Sequence, residues 1–222
     1  MMDMDLLPEQ DHAGLFRLAA DIEKMPDEQH FLPANLEEIA PGPYLAAVVS
    51  GVDRSRLSGH DVVRLMNARA RLVSHYQAGF YADVAEVAHA YDPDTTVRDS
   101  HPVEFAAEEI QTALTKTRTS ARLDLELALH LRLRLPRVWE AMAAGDIDLA
   151  RATVFARELE SLHPALVPEA VNRVISQAPE LTTGQLRARL QRVVLELEPE
   201  AADDRFEAGV EDRKMTVNPI RI

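Results

Sequence analysis

Apolar residues recur at helical spacing through most of the chain, and the breaks in that rhythm divide it. Ser58 is placed to cap a helix. After Leu57, apolar side chains fall at 62, 65, 66, 72, 73, 76, 80, 84, 87 and 91, and no proline intervenes until Pro93. This spacing predicts one helix over residues 58–91. About 34 residues at about 1.5 Å rise would span roughly 50 Å. That exceeds the usual globular helix and points to the spine of a bundle or a coiled-coil arm. Gly79 is the position inside it where a bend is expected. Tyr91-Asp92-Pro93-Asp94 is a turn signal that ends it.

Shorter helices follow. Phe105, Ile110 and Leu114 share a face of a helix over residues 104–115. Thr119 and Ser120 stand where a cap belongs, and Leu123, Leu127 and Leu131 continue a second helix to about residue 131. Pro136 suits the first turn of a third helix, and Gly145 its C-terminal stop. Asp146 or Asp148 caps the next, through about Leu162. Pro164 separates it from a helix ending near Gln177. Thr182 or Thr183 caps one through about Leu197, and Pro199 leads into another through about Gly209. Residues 214–222 (KMTVNPIRI) read as a short extended strand without a visible partner. The predicted fold class is all-α, a multi-helix bundle with one long helix and several short ones, plus that C-terminal strand.

The N-terminal part differs. Pro8, Pro26, Pro33, Pro41 and Pro43 interrupt it, and short amphipathic pieces such as residues 15–22 lie between them. Residues 1–53 hold 11 acids and 2 bases. Residues 1–56 therefore read as an acidic, loosely structured arm, and residues 57–222 as the helical domain. The net charge of −13 sits mainly outside the middle of the chain, since residues 54–157 carry 14 acids and 14 bases. The chain has no cysteine, which excludes disulfides, a thiol nucleophile and thiolate metal sites. No apolar run is long enough to span a membrane. The acidic start, MMDMDLLPEQD, is unlike a secretory leader, so the expected location is the cytoplasm.

Candidate chemistry is sparse. Lys116, Arg118, Arg122, Arg132, Arg134 and Arg137 face only Asp124 and Glu126 within residues 116–137. Such a patch can contact phosphate inside an acidic protein, although the global charge weakens steering. With a turn at residues 115–119, the flanking helices match a helix-turn-helix. Arg118 and Arg122 then lie at the start of the second helix, where base edges and phosphates are met. A plain helical hairpin has the same pattern, and the turn lacks glycine. Residues 144–152 (AGDIDLARA) form a compact helix corner in which Arg151 is best placed to pair with Asp148 or Glu158.

His60, Asn67 and His75 spell the letters of an HNH nuclease motif. On one helix, however, the two histidines lie about 22 Å apart along the axis, too far to share an ion whose ligands sit about 2 Å away. The other histidines form no HxH, HxxxH or HExxH pattern. GxGxxG, P-loop and GxSxG motifs are absent. No catalytic residue, metal ligand or cofactor is assigned. Trp139, the single tryptophan, is expected to anchor a core.

Several of these motifs recur together in a known family. Arg134-Leu135-Pro136, Ala144-Gly145-Asp146-Ile147 and Ala150-Arg151-Ala152 are followed by Leu181-Thr182, Leu186-Arg187, Arg192, Glu198-Pro199, Ala202, Arg205 and Arg213. In this order and spacing the chain resembles the actinobacterial domain of unknown function 222 (DUF 222), also called the thirteen-E-twelve repeat family. The resemblance covers roughly residues 57–222. The family's Asp-Pro dipeptide is Glu198-Pro199 here. Full-length relatives usually continue into a C-terminal HNH endonuclease domain, which implies a link to DNA processing and mobile elements. This chain is expected to stop before such a domain, so the family's catalytic histidine and asparagine have no counterpart.

Two functions follow. The first is a non-catalytic helical module that associates with double-stranded DNA through the basic residues and positions a nuclease. The alternative is a protein-interaction scaffold that forms homo-oligomers through the long helix and has no DNA affinity of its own. Neither involves a membrane.

Overall fold

The computed structural model of the protein describes residues 32–90 and 102–199. Within them the fold is all helical, and no strand occurs among the described residues. The helices are α1 (Pro43–Ser50), α2 (Gly59–Ala90), α3 (Pro102–Leu114), α4 (Arg118–Leu129), α5 (Pro136–Ala143), α6 (Leu149–Glu158), α7 (Val167–Val174) and α8 (Thr183–Leu197). The expected strand at 214–222, the helix after Pro199 and the turn at 91–94 lie outside the described residues.

The long helix α2 is the spine, as its apolar spacing predicts. Its start is fixed by Ser58, whose Oγ accepts the Asp61 backbone N–H at 3.1 Å and donates to the Asp61 carboxylate at 2.8 Å. That second hydrogen bond is the main reason the Asp61 carboxyl is held below its ordinary pKa. Helices α3, α4 and α5 pack along α2, and α3 and α4 pack against each other. Helices α6, α7 and α8 make a second group, joined to the first through α5 and α2.

Two cores result. The larger takes Ala78, Tyr81, Val84 and Ala85 from α2 and gathers Leu125, Leu131, Met142, Phe155, Leu186 and Leu190 from the other helices. The smaller takes Leu65, Ala68 and Leu72 from the first half of α2 and covers them with Leu32, Leu36, Leu45 and Val49.

The smaller core corrects the reading of residues 1–56 as one loose arm. From Leu32 onward the arm is folded, with Leu36 and Leu45 fully buried. Polar ties reinforce the apolar ones. Arg64 Nε donates to Glu37 Oε1 at 2.6 Å and its Nη2 to the Pro33 carbonyl at 2.8 Å. Arg71 donates to the carbonyls of Glu37 at 2.9 Å and Ile39 at 2.7 Å. Arg69 reaches the Val49 carbonyl at 2.9 Å. Three arginines of one helix thus satisfy backbone acceptors that proline-rich sequence cannot pair internally. Acidity and prolines mark residues 32–52 as an arm, but four well-spaced leucines and valines are enough to dock it.

The turn between α3 and α4 is shorter than the expected residues 115–119. Thr115 takes φ 52°, a left-handed position that glycine normally fills. Lys116 N–H then closes on the Gln111 carbonyl at 3.0 Å. Thr117, not Thr119 or Ser120, caps α4 by accepting the Ser120 N–H at 3.2 Å. Helix α4 ends at Leu129 and widens into a single π-turn, His130–Arg134, in which Leu135 N–H reaches the His130 carbonyl at 2.9 Å. Helix α6 ends at Glu158 rather than Leu162, and the expected helix to Gln177 is split into a 3-10 turn, α7 and a second 3-10 turn containing Pro179. Asp148 and Thr182 are the residues that cap α6 and α8, the latter as a full capping box with Gln185.

Candidate interaction surfaces

The six basic side chains anticipated as a phosphate-contacting group sit in different settings. Arg118 and Arg122, at the start of α4, are 70% and 62% exposed. Their acidic neighbours, Glu108 at 3.9 Å and Glu126 at 3.6 Å, make loose surface pairs of little strength. Lys116 is committed inward. It pairs with the Asp124 carboxylate, which is largely buried, and its ammonium lies 5.6 Å from the centre of the Phe80 ring. Asp124 also accepts from the Tyr81 hydroxyl at 3.4 Å. Burial, with the Asp124 charge beside it, pushes the Tyr81 phenol up to about 12.

Arg132 lies over the Trp139 ring, 4.4 Å from its centre. Trp139 in turn donates its indole N–H to the Ala78 carbonyl of α2 at 3.0 Å, so its anchoring role is partly polar. Arg134 spends its guanidinium on the end of α6, donating to the Leu159 carbonyl at 2.8 Å and to the Leu162 carbonyl. Arg137, exposed, donates to the Asn172 side chain. The structure therefore leaves Arg118 and Arg122 as the freest of the six, and holds Lys116 and Arg134 inside the packing.

The corner at residues 144–152 is built into the bundle. Gly145 takes φ +77°. Gly145 N–H donates to Met142 carbonyl at 3.0 Å and Asp146 N–H to Ala141 carbonyl at 2.9 Å, the paired closure of a helix end that wants glycine. The same end meets α2 twice. His75 Nδ1 lies 2.7 Å from the Ala143 carbonyl, and the Gly145 backbone abuts Arg71. Arg151 pairs with Asp148 at 2.7 Å, one of its two anticipated partners, and adds a hydrogen bond to the Leu181 carbonyl at 2.9 Å. Glu158, the other anticipated partner, instead holds Arg187 at 3.0 Å and Gln191 at 2.9 Å. His60, Asn67 and His75 all lie on α2, as the spacing required, and His75 is engaged in this helix contact.

One surface feature was not singled out by sequence reasoning. Helix α2 turns Val62, Val63, Met66, Val73 and Tyr76 outward, each more than 40% exposed. With Arg69 and Phe80, four of them (Val62, Met66, Val73 and Tyr76) run 62, 66, 69, 73, 76, 80, the alternating four-three step of a coiled-coil seam. Arg69 donates to the Val49 carbonyl at 2.9 Å and is the charged member of this seam. A shallow groove lined by Arg69, Leu72, Val73, Tyr76, Gln77 and Phe80 lies along it. At Gln77 it meets a second groove bounded by Thr153, Arg157 and Arg187. The signal was present in the sequence. Apolar residues at 62, 66, 73 and 76 fall between the arc that the smaller core covers (Leu65, Ala68, Leu72) and the arc that the larger core covers (Ala78, Tyr81, Ala85), so α2 keeps an apolar face that neither core uses.

No helix of the described residues is long and apolar enough to cross a membrane. A search of curated proteins and a search of solved structures find no match. The model of the domain of unknown function DUF222 matches residues 60–221, beginning one residue into α2 and spanning every helix after it. The chain belongs to the DUF222 family.

Proposed function

We propose that this domain is a non-catalytic helical scaffold that acts by helix-on-helix protein contact, within a cytoplasmic, DNA-processing protein of the HNH-endonuclease kind. The observation that carries the reading is the exposed, mainly apolar strip on α2. Met66, Val73 and Tyr76 stay more than half exposed although both cores are already packed on α2 through Leu65, Leu72 and Val84. The link to nuclease domains comes from the family resemblance alone.

Direct DNA contact is the second reading, favoured by Arg118 and Arg122. Both are exposed near the start of α4, Arg118 in the first turn, where the helix end itself attracts phosphate, and Arg122 in the next, and their surface pairs are weak enough to exchange. The two readings separate in fluorescence anisotropy with a labelled duplex at about 50 and about 200 mM salt, a range over which several phosphate contacts lose orders of magnitude in affinity. The scaffold reading expects no binding at the lower salt. Binding that collapses with salt, and with Arg118→Ala and Arg122→Ala together, replaces it with the DNA reading.

A further inference from the structure

The seam on α2 carries two charges, and their spacing selects a partner. One step past Phe80 the four-three rhythm reaches Asp83, which is exposed and makes no ion pair among the described residues. Arg69 spends a donor on the Val49 carbonyl and likewise makes no ion pair among the described residues. Val73, Tyr76 and Phe80 lie between the two charges, and Tyr76 is equidistant in sequence from both.

Such a seam is complementary to itself when two copies run in opposite directions. With the two-fold axis between Val73 and Tyr76, Val73 of one copy meets Tyr76 of the other, Arg69 meets Phe80, and Met66 meets Asp83. Arg69 is then set against an aromatic ring. The second copy's Asp83 lies one layer away, about 4.5 Å along the axis. The same contact repeats at the other end. Parallel pairing would instead set Arg69 against Arg69 and Asp83 against Asp83. Sliding the antiparallel pair by a heptad, until Val62 meets Phe80, would bring the two Arg69 side chains into adjacent layers. Like charges so placed are unfavourable, so charge selects both direction and register.

The two cores leave space for this pairing. The smaller flanks the first half of α2 at Leu65 and Leu72, and the larger flanks the second half, on the other side, at Tyr81 and Ala85. In the antiparallel pair each copy's smaller core comes beside the other's second half, where Gly79 is exposed. A Cβ at Gly79 would meet nothing within 4 Å. Glycine weakens a helix interior, and within one chain no close contact requires it at this position.

We infer that the strip is the interface of an antiparallel homodimer, in which α2 packs on α2 of a second copy and Arg69 of each chain faces Asp83 of the other. This rests on the protein-contact reading of the strip and names its partner. The seam is short, at the transient end of interface sizes, so the dimer is expected to be reversible.

The test is sedimentation velocity of the full chain from about 1 to about 100 µM, a range that brackets micromolar dissociation. The dimer should grow with concentration. Asp83→Arg, at an exposed site, should weaken it at least about tenfold, and adding Arg69→Glu should restore it. Gly79→Gln favours the helix and meets nothing in its own chain, so it should weaken the dimer without lowering thermal stability at the lowest concentration. The chain has no cysteine, so oxidation reads the direction. A mixture of Met66→Cys and Asp83→Cys chains should cross-link, and Met66→Cys alone should not. Cross-linking of Met66→Cys alone means a parallel pair and overturns the inference, while the protein-contact reading stands. A dimer indifferent to Asp83→Arg and Gly79→Gln is held elsewhere and overturns it as well. A chain that stays monomeric overturns it too. If that monomer also binds the labelled duplex in a salt-dependent way, the protein-contact reading falls with it.

Discussion

Gly145 and Arg71 stand so close that a Cβ at position 145 would lie 2.9 Å from the Arg71 Cβ and 3.1 Å from its carbonyl oxygen. Two independent needs for glycine meet here: the left-handed φ that closes α5, and the approach of that closure to the backbone of α2. Gly145→Ala is therefore expected to cost at least about 2 kcal/mol, since the left-handed conformation alone costs roughly 1–2 kcal/mol in a residue with a Cβ. Urea unfolding measures this. Truncating Arg71 to Ala in the same chain should not rescue it, because the clashing atoms remain. A loss under about 0.5 kcal/mol, the size of an ordinary surface substitution, would refute the steric account.

Arg134 was a candidate phosphate contact and is found holding the end of α6. Replacing it with Met keeps much of the packing volume and removes the donors to Leu159 and Leu162. Hydrogen bonds to a charged group are worth about 1.5–3 kcal/mol, so Arg134→Met should destabilise by roughly 2 kcal/mol. Any DNA affinity should be unchanged. A variant of native stability with weakened DNA binding would return Arg134 to the surface role.

The smaller core should be acid-sensitive. The hydrogen bond from Arg64 to Glu37, helped by a backbone hydrogen bond, holds the Glu37 carboxyl down at about 2 from a usual 4.5. A carboxyl depressed in the folded state stabilises above its unfolded pKa, and that contribution is lost as pH falls toward the folded value. Docking of residues 32–52 should therefore weaken between pH 4.5 and about 2. Glu37→Gln should flatten that dependence, measured as amide exchange in the Leu36 turn against pH. An unchanged acid profile in the variant would remove Glu37 from the account.

At the other end of the pH scale, Tyr81 should ionise late. Its phenol, raised to about 12, disfavours the phenolate in the folded state. Folded stability should fall as pH rises above the unfolded tyrosine range toward that value. In an ultraviolet titration a late phase near pH 12 should be missing from Tyr81→Phe. If the late phase persists in that variant, it belongs to another tyrosine.

Much of this architecture is legible from residue spacing, and the failures have common physical causes. Helix α2 is read nearly to the residue because Ser58 caps it and no proline interrupts it before Pro93. Pro136, Gly145 and Thr182 mark their helix ends through conformations that few other residues tolerate or complete. What spacing misses is tertiary. Thr115 accepts a glycine-like φ, and the π-turn at His130–Arg134 has no local signature. The destinations of Lys116 and Arg134 depend on Asp124 and on the end of α6, which come close only after folding. A count of basic residues therefore overstates the patch. For the same reason, the acidic arm conceals that Leu32, Leu36, Leu45 and Val49 are buried.

Both cores share α2, but they use different stretches of it. Leu65, Ala68 and Leu72 serve the small core, and Ala78, Tyr81, Val84 and Ala85 the large one. A single helix thus carries two grades of rigidity along its length. The small core holds seven buried side chains, so it is the weaker clamp and should open first as a separate cooperative unit. Amides near residues 65–72 should then exchange through that local opening, while those near 78–85 wait for global unfolding. The half of the spine that carries most of the apolar strip is the half that can loosen without loss of the fold.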